Sequence, residues 1–343
     1  MHILNFVLYE VITLEQSYYL FSSGHLHRKD NTLTLTKCDG SYSDIPIERV
    51  YDLYAFGEMT YNSSLFSFLG SKRVTLHMFN YYDFYVGSFC PKDSMNSGNI
   101  LVKQVEHYLD YSKRLEIAKE FIISAADNIY RNLRYYEDRG KDLAAYMIYI
   151  EELSNMLPHV TSIEELMGIE GNIRQKYYAA FNLIVNQEIN FTKRVKNPPN
   201  NMINTMISYC NSLLYTKILS ELYKTYLNPT ISYLHQPGTK RFSLCLDISE
   251  IFKPLIVDRM IFSMLNKNQI TMDDFDDNIG YLRIKEKGVR KIVEEFERRL
   301  QTTIKHKTLN RTVSYKHLIR LEAYKLIKHL IGEQKYQGFR IWW

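Results

Sequence analysis

Cysteine is scarce in this sequence. The four copies, Cys38, Cys90, Cys210 and Cys245, are scattered and form no C-x-x-C pair, which argues against a disulfide framework and against a cysteine zinc site. A reducing cytoplasm is the expected compartment. Long apolar runs are missing too: none reaches the roughly 18 residues needed to cross a bilayer, so no membrane span is expected. Met1 to Gln16 is apolar in places, but it lacks a basic leading region and a small-residue cleavage site, and Glu10 interrupts it. No signal peptide is expected there. Internal repeats and low-complexity segments are absent. With 45% hydrophobic and 24% charged residues, the composition is that of a soluble globular chain. Its 343 residues exceed the usual single core, so about two domains are expected.

What is abundant is tyrosine, with 28 copies. Tyrosine stacks on bases and donates to phosphates, and it is equally an ordinary core and interface residue. Charge is unevenly spread. Residues 1–100 hold 7 Lys and Arg against 10 Asp and Glu, net −3, and the remainder is +8. Residues 281–343 alone hold 16 against 6, net +10. A basic region behind a slightly acidic one fits a bound polyanion, or simply a solvated basic helix surface.

The hydrophobic period changes along the chain. Tyr18 to Phe21, His25 to Arg28, Thr32 to Thr36, Val74 to Phe79 and Phe84 to Phe89 read as strands, with a hairpin turn at Lys29-Asp30-Asn31 and a short helix at Ser64 to Leu69. The polar tract Pro91 to Gly98 marks a boundary. Beyond it, helical spacing predicts helices over 99–136, 140–157, 162–190, 201–227, 246–267, 286–301 and 313–332. The expected fold is α+β: a small N-terminal β-rich domain, residues 1–97, followed by a larger all-α domain, residues 98–343.

The helix opening at Ser162, with Glu165 as a capping-box partner, carries the most informative residue. Its apolar stripe runs Ile163, Leu166, Ile173, Tyr177, Ala180 and Ile184, and the missing stripe position falls on Glu170. A carboxylate in such a seam is paired, protonated, metal-bound or in a cavity, because an unpaired buried charge costs several kcal/mol. Gly168 and Gly171 flank it, which points to close approach by another backbone or by a ligand. The plain alternative is an ion pair with Arg174 one turn on. Two further candidates lie downstream. His235 sits in the loop Tyr233 to Gly238 and taken alone is a loop histidine. Asp247 and Glu250 are three apart and share a helix face, although that spacing is also a capping box. Pro254 is expected to kink the helix. Two carboxylates and one imidazole suit a divalent ion such as Mn²⁺ or Mg²⁺, and beside a basic surface they point to phosphodiester chemistry.

These segments resemble the CRISPR-associated integrase family known as CRISPR-associated protein one. Met167-Gly168-Ile169-Glu170-Gly171 resembles its glutamate motif, Leu234-His235-Gln236 its histidine motif, and Leu246 to Pro254 with Val257-Asp258-Arg259 its acidic motif. Phe191 to Arg194 with Asn197-Pro198-Pro199 and Asn204 is similar to its Arg-Pro-Pro segment, although Asn197 stands where the arginine is usual and the nearest bases are Arg194 and Lys196. Tyr18 to Leu26, Phe79 to Tyr82 and the closing Tyr336 to Trp343 complete the likeness, which runs from about Ser17 to the end and leaves Met1 to Gln16 as an extension. The tracts Lys305-His306-Lys307 and Tyr315 to His329 look most like type I members near subtype B.

The resemblance implies a metal-dependent endonuclease and integrase that inserts short DNA fragments into a CRISPR array by transesterification from a 3′-hydroxyl. Glu170, His235 and Glu250 would be the ligands of Mg²⁺ or Mn²⁺, and Asp247 a supporting acid. Lys285, Lys287, Arg290, Arg311, Lys316, Arg320 and Lys325 are the candidates for holding DNA backbones. Partners would be double-stranded DNA, a second copy joined through the β domain with Tyr81 and Tyr82 available to that interface, and the small CRISPR-associated protein two in a heterohexamer. The alternatives are a structure-specific nuclease on branched DNA and a non-catalytic DNA-binding scaffold.

Overall fold

The computed structural model of the chain describes residues 15–80, 84–92, 97–189, 191–196, 199–239, 241–276 and 282–343. Expectations placed on Met1 to Leu14, on Tyr81 and Tyr82, and on Asn197 and Pro198 lie outside them. The chain divides into two compact units, Met1–Ser94 and Met95–Trp343.

The first unit holds β1 (Gln16–Leu20), β2 (Gly24–Lys29), β3 (Thr32–Lys37), β4 (Tyr42–Pro46), β5 (Val50–Ala55), β6 (Met59–Thr60), α1 (Ser63–Ser71), β7 (Thr75–Phe79) and β8 (Tyr85–Phe89). They form two four-stranded sheets, ordered β1-β5-β7-β8 and β4-β3-β2-β6. The expected hairpin joins β2 to β3 with Lys29 opposite Thr32, and Asp30 takes the left-handed φ of 54° that the tight turn needs. Asn62 starts α1 by accepting the Leu65 amide at 2.9 Å. Leu20, Leu26, Leu33, Leu53, Leu65, Leu69 and Leu76 close the core. The strand β5 is buried on both faces, so it shows none of the alternation that a half-exposed strand displays.

The second unit holds α2 (Gly98–Leu109), α3 (Tyr111–Glu137), α4 (Ala144–Met156), α5 (Ile163–Ala179), α6 (Phe181–Ile184), α7 (Met202–Leu222), α8 (Ser243–Phe252), a π-helical segment (Lys253–Asp258) and α9 (Arg259–Asn266). Then come β9 (Phe275–Asp276), β10 (Arg283–Ile284), α10 (Glu286–Leu300), β11 (Thr303–Lys305), β12 (Thr312–Ser314) and α11 (Tyr315–Leu330). The unit is mostly helical, as expected, and carries two short antiparallel ribbons, β9–β10 and β11–β12.

Four helices depart from expectation, each for a local reason. The first is two helices, because Asp110 ends α2 and caps α3, accepting the amides of Ser112 at 3.1 Å and Lys113 at 3.2 Å. The helix expected over 162–190 stops early: the side chain of Asn182 exchanges two hydrogen bonds with the backbone of Phe191 at 2.8 and 2.9 Å and turns the chain back. The Thr225 hydroxyl bonds the Leu222 carbonyl at 2.9 Å and closes α7 there. Pro254 does not break its helix but opens it into the π segment, whose freed carbonyls are taken by side chains. Asn132 of α3 donates to Pro254 at 2.7 Å, and Arg299 of α10 donates to Leu255 at 2.9 Å.

The tail after α11 returns over α3. Asn128 donates to the carbonyls of Ile251 at 2.9 Å and Phe339 at 3.1 Å, and its own oxygen accepts the Ile341 amide at 2.7 Å. Gly338 has no room for a side chain there, since an added Cβ would lie 2.0 Å from the Ser124 hydroxyl.

Candidate active site

The expected residues all lie in the second unit, on α5, α8 and the loop before α8: Glu170 and Glu250 share Arg174, and His235 pairs with Asp247. Ser162 starts α5 by accepting the Glu165 amide at 3.1 Å, while Glu165 reaches back one residue beyond the expected box to the Thr161 amide at 3.0 Å. The stripe Ile163, Leu166, Ile173 and Tyr177 is buried. Glu170 sits at its edge, with its side chain 24% exposed and its Oε1 3.3 Å from Arg174 Nε. The Arg174 pair expected as the plain alternative is thus present. Gly168 and Gly171 face open space, with nothing within 4 Å of an added Cβ. No other backbone approaches them among the described residues, and the flank of α5 beside Glu170 stays clear.

Arg174 is the hub. It is buried, its Nη2 lies 2.5 Å from Glu250 Oε2 and 3.4 Å from the Glu250 carbonyl, and its Nη1 lies 4.0 Å from Asp258. The carbonyl contact follows from sequence, because Pro254 lacks the N–H that an α-helix would bring to it. Lys253 holds the other carboxylate oxygen of Glu250 at 2.5 Å. Burial raises Glu170, and the nearby charge of Glu250 raises it further against the pull of Arg174. Burial would raise Glu250 as well, but Lys253 and Arg174 outweigh it and bring it down to about 2. Burial pushes Asp258 up to about 7, against Arg174 and Lys253.

His235 is positioned by the loop that bears it. Asp247, wholly buried on α8, accepts the amides of Tyr233 at 2.7 Å, Leu234 at 3.0 Å and His235 at 3.0 Å, and faces the His235 Nδ1 at 2.8 Å. Arg114 Nε donates to the Tyr233 carbonyl at 2.8 Å from the other side. The imidazole is 21% exposed, and with Nδ1 turned to a carboxylate its Nε2 is the nitrogen presented outward. Three residues on along α8, Glu250 is close enough that the His235 charge lowers it.

Two carboxylates and an oriented imidazole are a donor set for a hard divalent ion. As they stand, no three such groups among the described residues converge to hold one. The carboxylate oxygens are turned to Arg174 and Lys253 instead. Sequence offers Arg174 as a partner for Glu170 and carries Lys253 and Asp258 within the acidic motif. The spacing of Arg174 from Glu170, four, and of Lys253 from Glu250, three, is the signal that marks those two.

The basic candidates divide. Arg320 pairs with the buried Glu221 at 2.9 Å, and Lys325 with the buried Glu322 at 2.6 Å, so both brace helices. Arg290 pairs with Glu286 at 2.6 Å and Lys285 donates to the Asp273 carbonyl at 3.0 Å. Lys287 and Arg311 are exposed, and Lys316 is half-buried. Arg194 is spent on α7, donating to Asn204 Oδ1 at 3.0 Å and Ser208 Oγ at 2.7 Å.

A β-rich unit ahead of a mostly helical unit that holds Glu170 and Glu250 on one buried arginine is the architecture this chain shares with a class of CRISPR-associated endonucleases. The family profile "CRISPR associated protein Cas1" matches residues 18–298. The chain is 59% identical over 332 residues to the CRISPR-associated endonuclease Cas1 of Fusobacterium nucleatum, covering 97% of this chain and 98% of that one. Among solved structures, a CAS1 protein from Thermotoga maritima is 40% identical, with a TM-score of 0.82 over 95% of this chain and 100% of its own. A casposase bound to integration product shares the fold, at 23% identity and a TM-score of 0.83 over 94% of this chain and 92% of its own. The chain belongs to the Cas1 family.

Proposed function

We propose that the chain is the endonuclease and integrase of CRISPR adaptation, joining short DNA fragments into a CRISPR array. The observation that carries this reading is the pairing of Glu170 and Glu250, from two separate helices, with one buried arginine, Arg174, with His235 near enough for its charge to lower the Glu250 carboxyl. In the proposal these three residues hold Mg²⁺ or Mn²⁺, which when bound polarises the scissile phosphate and helps to activate the attacking 3′-hydroxyl. Asp247 acts through His235, fixing the ring so that Nε2 faces the reacting groups. Arg174 keeps the two carboxylates together and limits their mutual repulsion. The fragment's 3′-hydroxyl attacks at a repeat end, a new phosphodiester forms, and the old 3′-hydroxyl leaves. One bond replaces another, so no nucleotide cofactor is consumed.

Exposed bases such as Lys287 and Arg311 are proposed to hold the duplex backbone, which positions DNA without reading its sequence. The assembly we infer is a dimer through the first unit, with CRISPR-associated protein two completing a heterohexamer. The type I, subtype B assignment rests on the Lys305-His306-Lys307 and Tyr315 to His329 tracts. A cytoplasmic setting agrees with the free thiols of Cys38, Cys90, Cys210 and Cys245 and with the absence, among the described residues, of a helix long and apolar enough to cross a membrane.

The test is strand transfer. A short duplex with 3′-hydroxyls is mixed with a supercoiled plasmid carrying an array, with Mn²⁺ or EDTA, with and without the small partner. Joining that needs metal and is lost in Glu170→Ala is the expected result. Cutting without joining, read from product lengths, would move the assignment to a structure-specific nuclease. No reaction under any condition would leave a DNA-binding scaffold.

A further inference from the structure

We propose that Lys253 is a built-in stand-in for the divalent ion: its ammonium occupies Glu250 in the metal-free protein and must leave for the site to load. This rests on the metal reading above. The geometry assigns the role to Lys253 rather than to Arg174. Arg174 is fixed from several sides, by Glu170, by the carboxylate and carbonyl of Glu250, and by Asp258. Lys253 pairs with Glu250 Oε1 at 2.5 Å, and its side chain is 12% exposed. That oxygen is what an incoming ion needs, since Arg174 already holds the other one. An ammonium and a divalent ion on that one oxygen repel each other, so the two cations compete for it.

While it is bonded to Glu250, the Lys253 Nζ also lies 5.3 Å from the ring centroid of Tyr215 on α7, within the range at which an aromatic face holds a cation, so an ammonium released from the carboxylate keeps one favourable neighbour. Beside Arg174, the ammonium supplies a second compensating charge for the buried Glu250 before metal arrives. It also sets metal affinity lower than the bare donor set would have, because loading is an exchange of cations rather than an addition.

Two measurements on the full chain, without DNA, test this. Free Mn²⁺ is followed by electron paramagnetic resonance during titration of wild type, Lys253→Met and Glu170→Gln. Separately, wild type is acetylated with an amine-reactive ester, with and without Mg²⁺, and the Lys253 peptide is quantified by mass spectrometry. The expected results are Mn²⁺ binding about tenfold tighter in Lys253→Met than in wild type, and acetylation of Lys253 several-fold faster with Mg²⁺. Equal or weaker binding in Lys253→Met, or acetylation indifferent to Mg²⁺, overturns the stand-in while leaving the metal site intact. Absence of binding in both wild type and Lys253→Met, or binding that Glu170→Gln does not weaken, overturns the metal reading itself and the stand-in with it. The acetylation experiment needs no variant, so a poorly folded Lys253→Met does not remove the test.

Discussion

At the scale of single residues, the site is a contest between burial and pairing. Glu170 is raised by burial and by Glu250, so removing its charge relieves a repulsion while weakening, not removing, the hydrogen bond it accepts from Arg174. Arg174 keeps Glu250 and Asp258 in either case. Glu170→Gln should therefore leave metal-free stability within about 1 kcal/mol of wild type in urea denaturation with EDTA. A much larger loss would make the Glu170–Arg174 pair structural. Asp258 makes the opposite case. Its folded value stands near 7, above the ordinary 3.8. As pH rises between those values, the unfolded chain gives up a proton that the folded chain retains, so stability falls across that window. Asp258→Asn removes this dependence, and its stabilisation should be roughly 1–3 kcal/mol greater at pH 8 than at pH 5. Equal gains at the two pH values would mean that Asp258 is already ionised in the folded protein at pH 5.

At the scale of elements, the histidine loop and α8 form one device. Asp247 accepts three loop amides and orients the ring as well. Asp247→Ala leaves those buried donors without an acceptor and should cost on the order of 3 kcal/mol or more. Amide exchange at Tyr233, Leu234 and His235 should speed up more than exchange in α3. Protection that falls evenly across the unit would instead mean global unfolding. Sequence showed that Asp247 and Glu250 share a face, and that is true of α8. It did not show that they point to different tasks, because the partners of Asp247 lie 12 to 14 residues back in a loop without periodicity. The π segment was equally hidden. Pro254 announced a defect, but whether the helix kinks, ends or widens was decided by Asn132 and Arg299, which arrive from α3 and α10.

At the scale of the whole molecule, the charge asymmetry seen in the composition is only partly a binding surface. Lys325 is balanced by Glu322, which the net +10 of residues 281–343 already counts, but Arg320 neutralises the buried Glu221 outside that range, so the figure overstates what is offered to a polyanion. The prediction is a difference in kind between variants. Lys287→Ala and Arg311→Ala should each weaken DNA binding and reduce the slope of log affinity against log salt by about 1. Arg320→Ala should lower the melting temperature first. Unchanged salt slopes for both Lys287→Ala and Arg311→Ala would move the DNA surface elsewhere.

Sequence by itself determined the order of the two units, most of the helices, the β2–β3 hairpin and the family. Those depend on local periodicity, turn chemistry and motif spacing, all readable along one dimension. It also named Glu170, His235, Asp247 and Glu250. Local spacing already offers Arg174 to Glu170 and Lys253 to Glu250. Tertiary structure alone decided that Arg174 also reaches Glu250 and that Asp247 stands behind the imidazole. The reason is physical. A charge in a folded protein is governed by whatever lies within a few ångströms, and those two contacts join segments up to 76 positions apart.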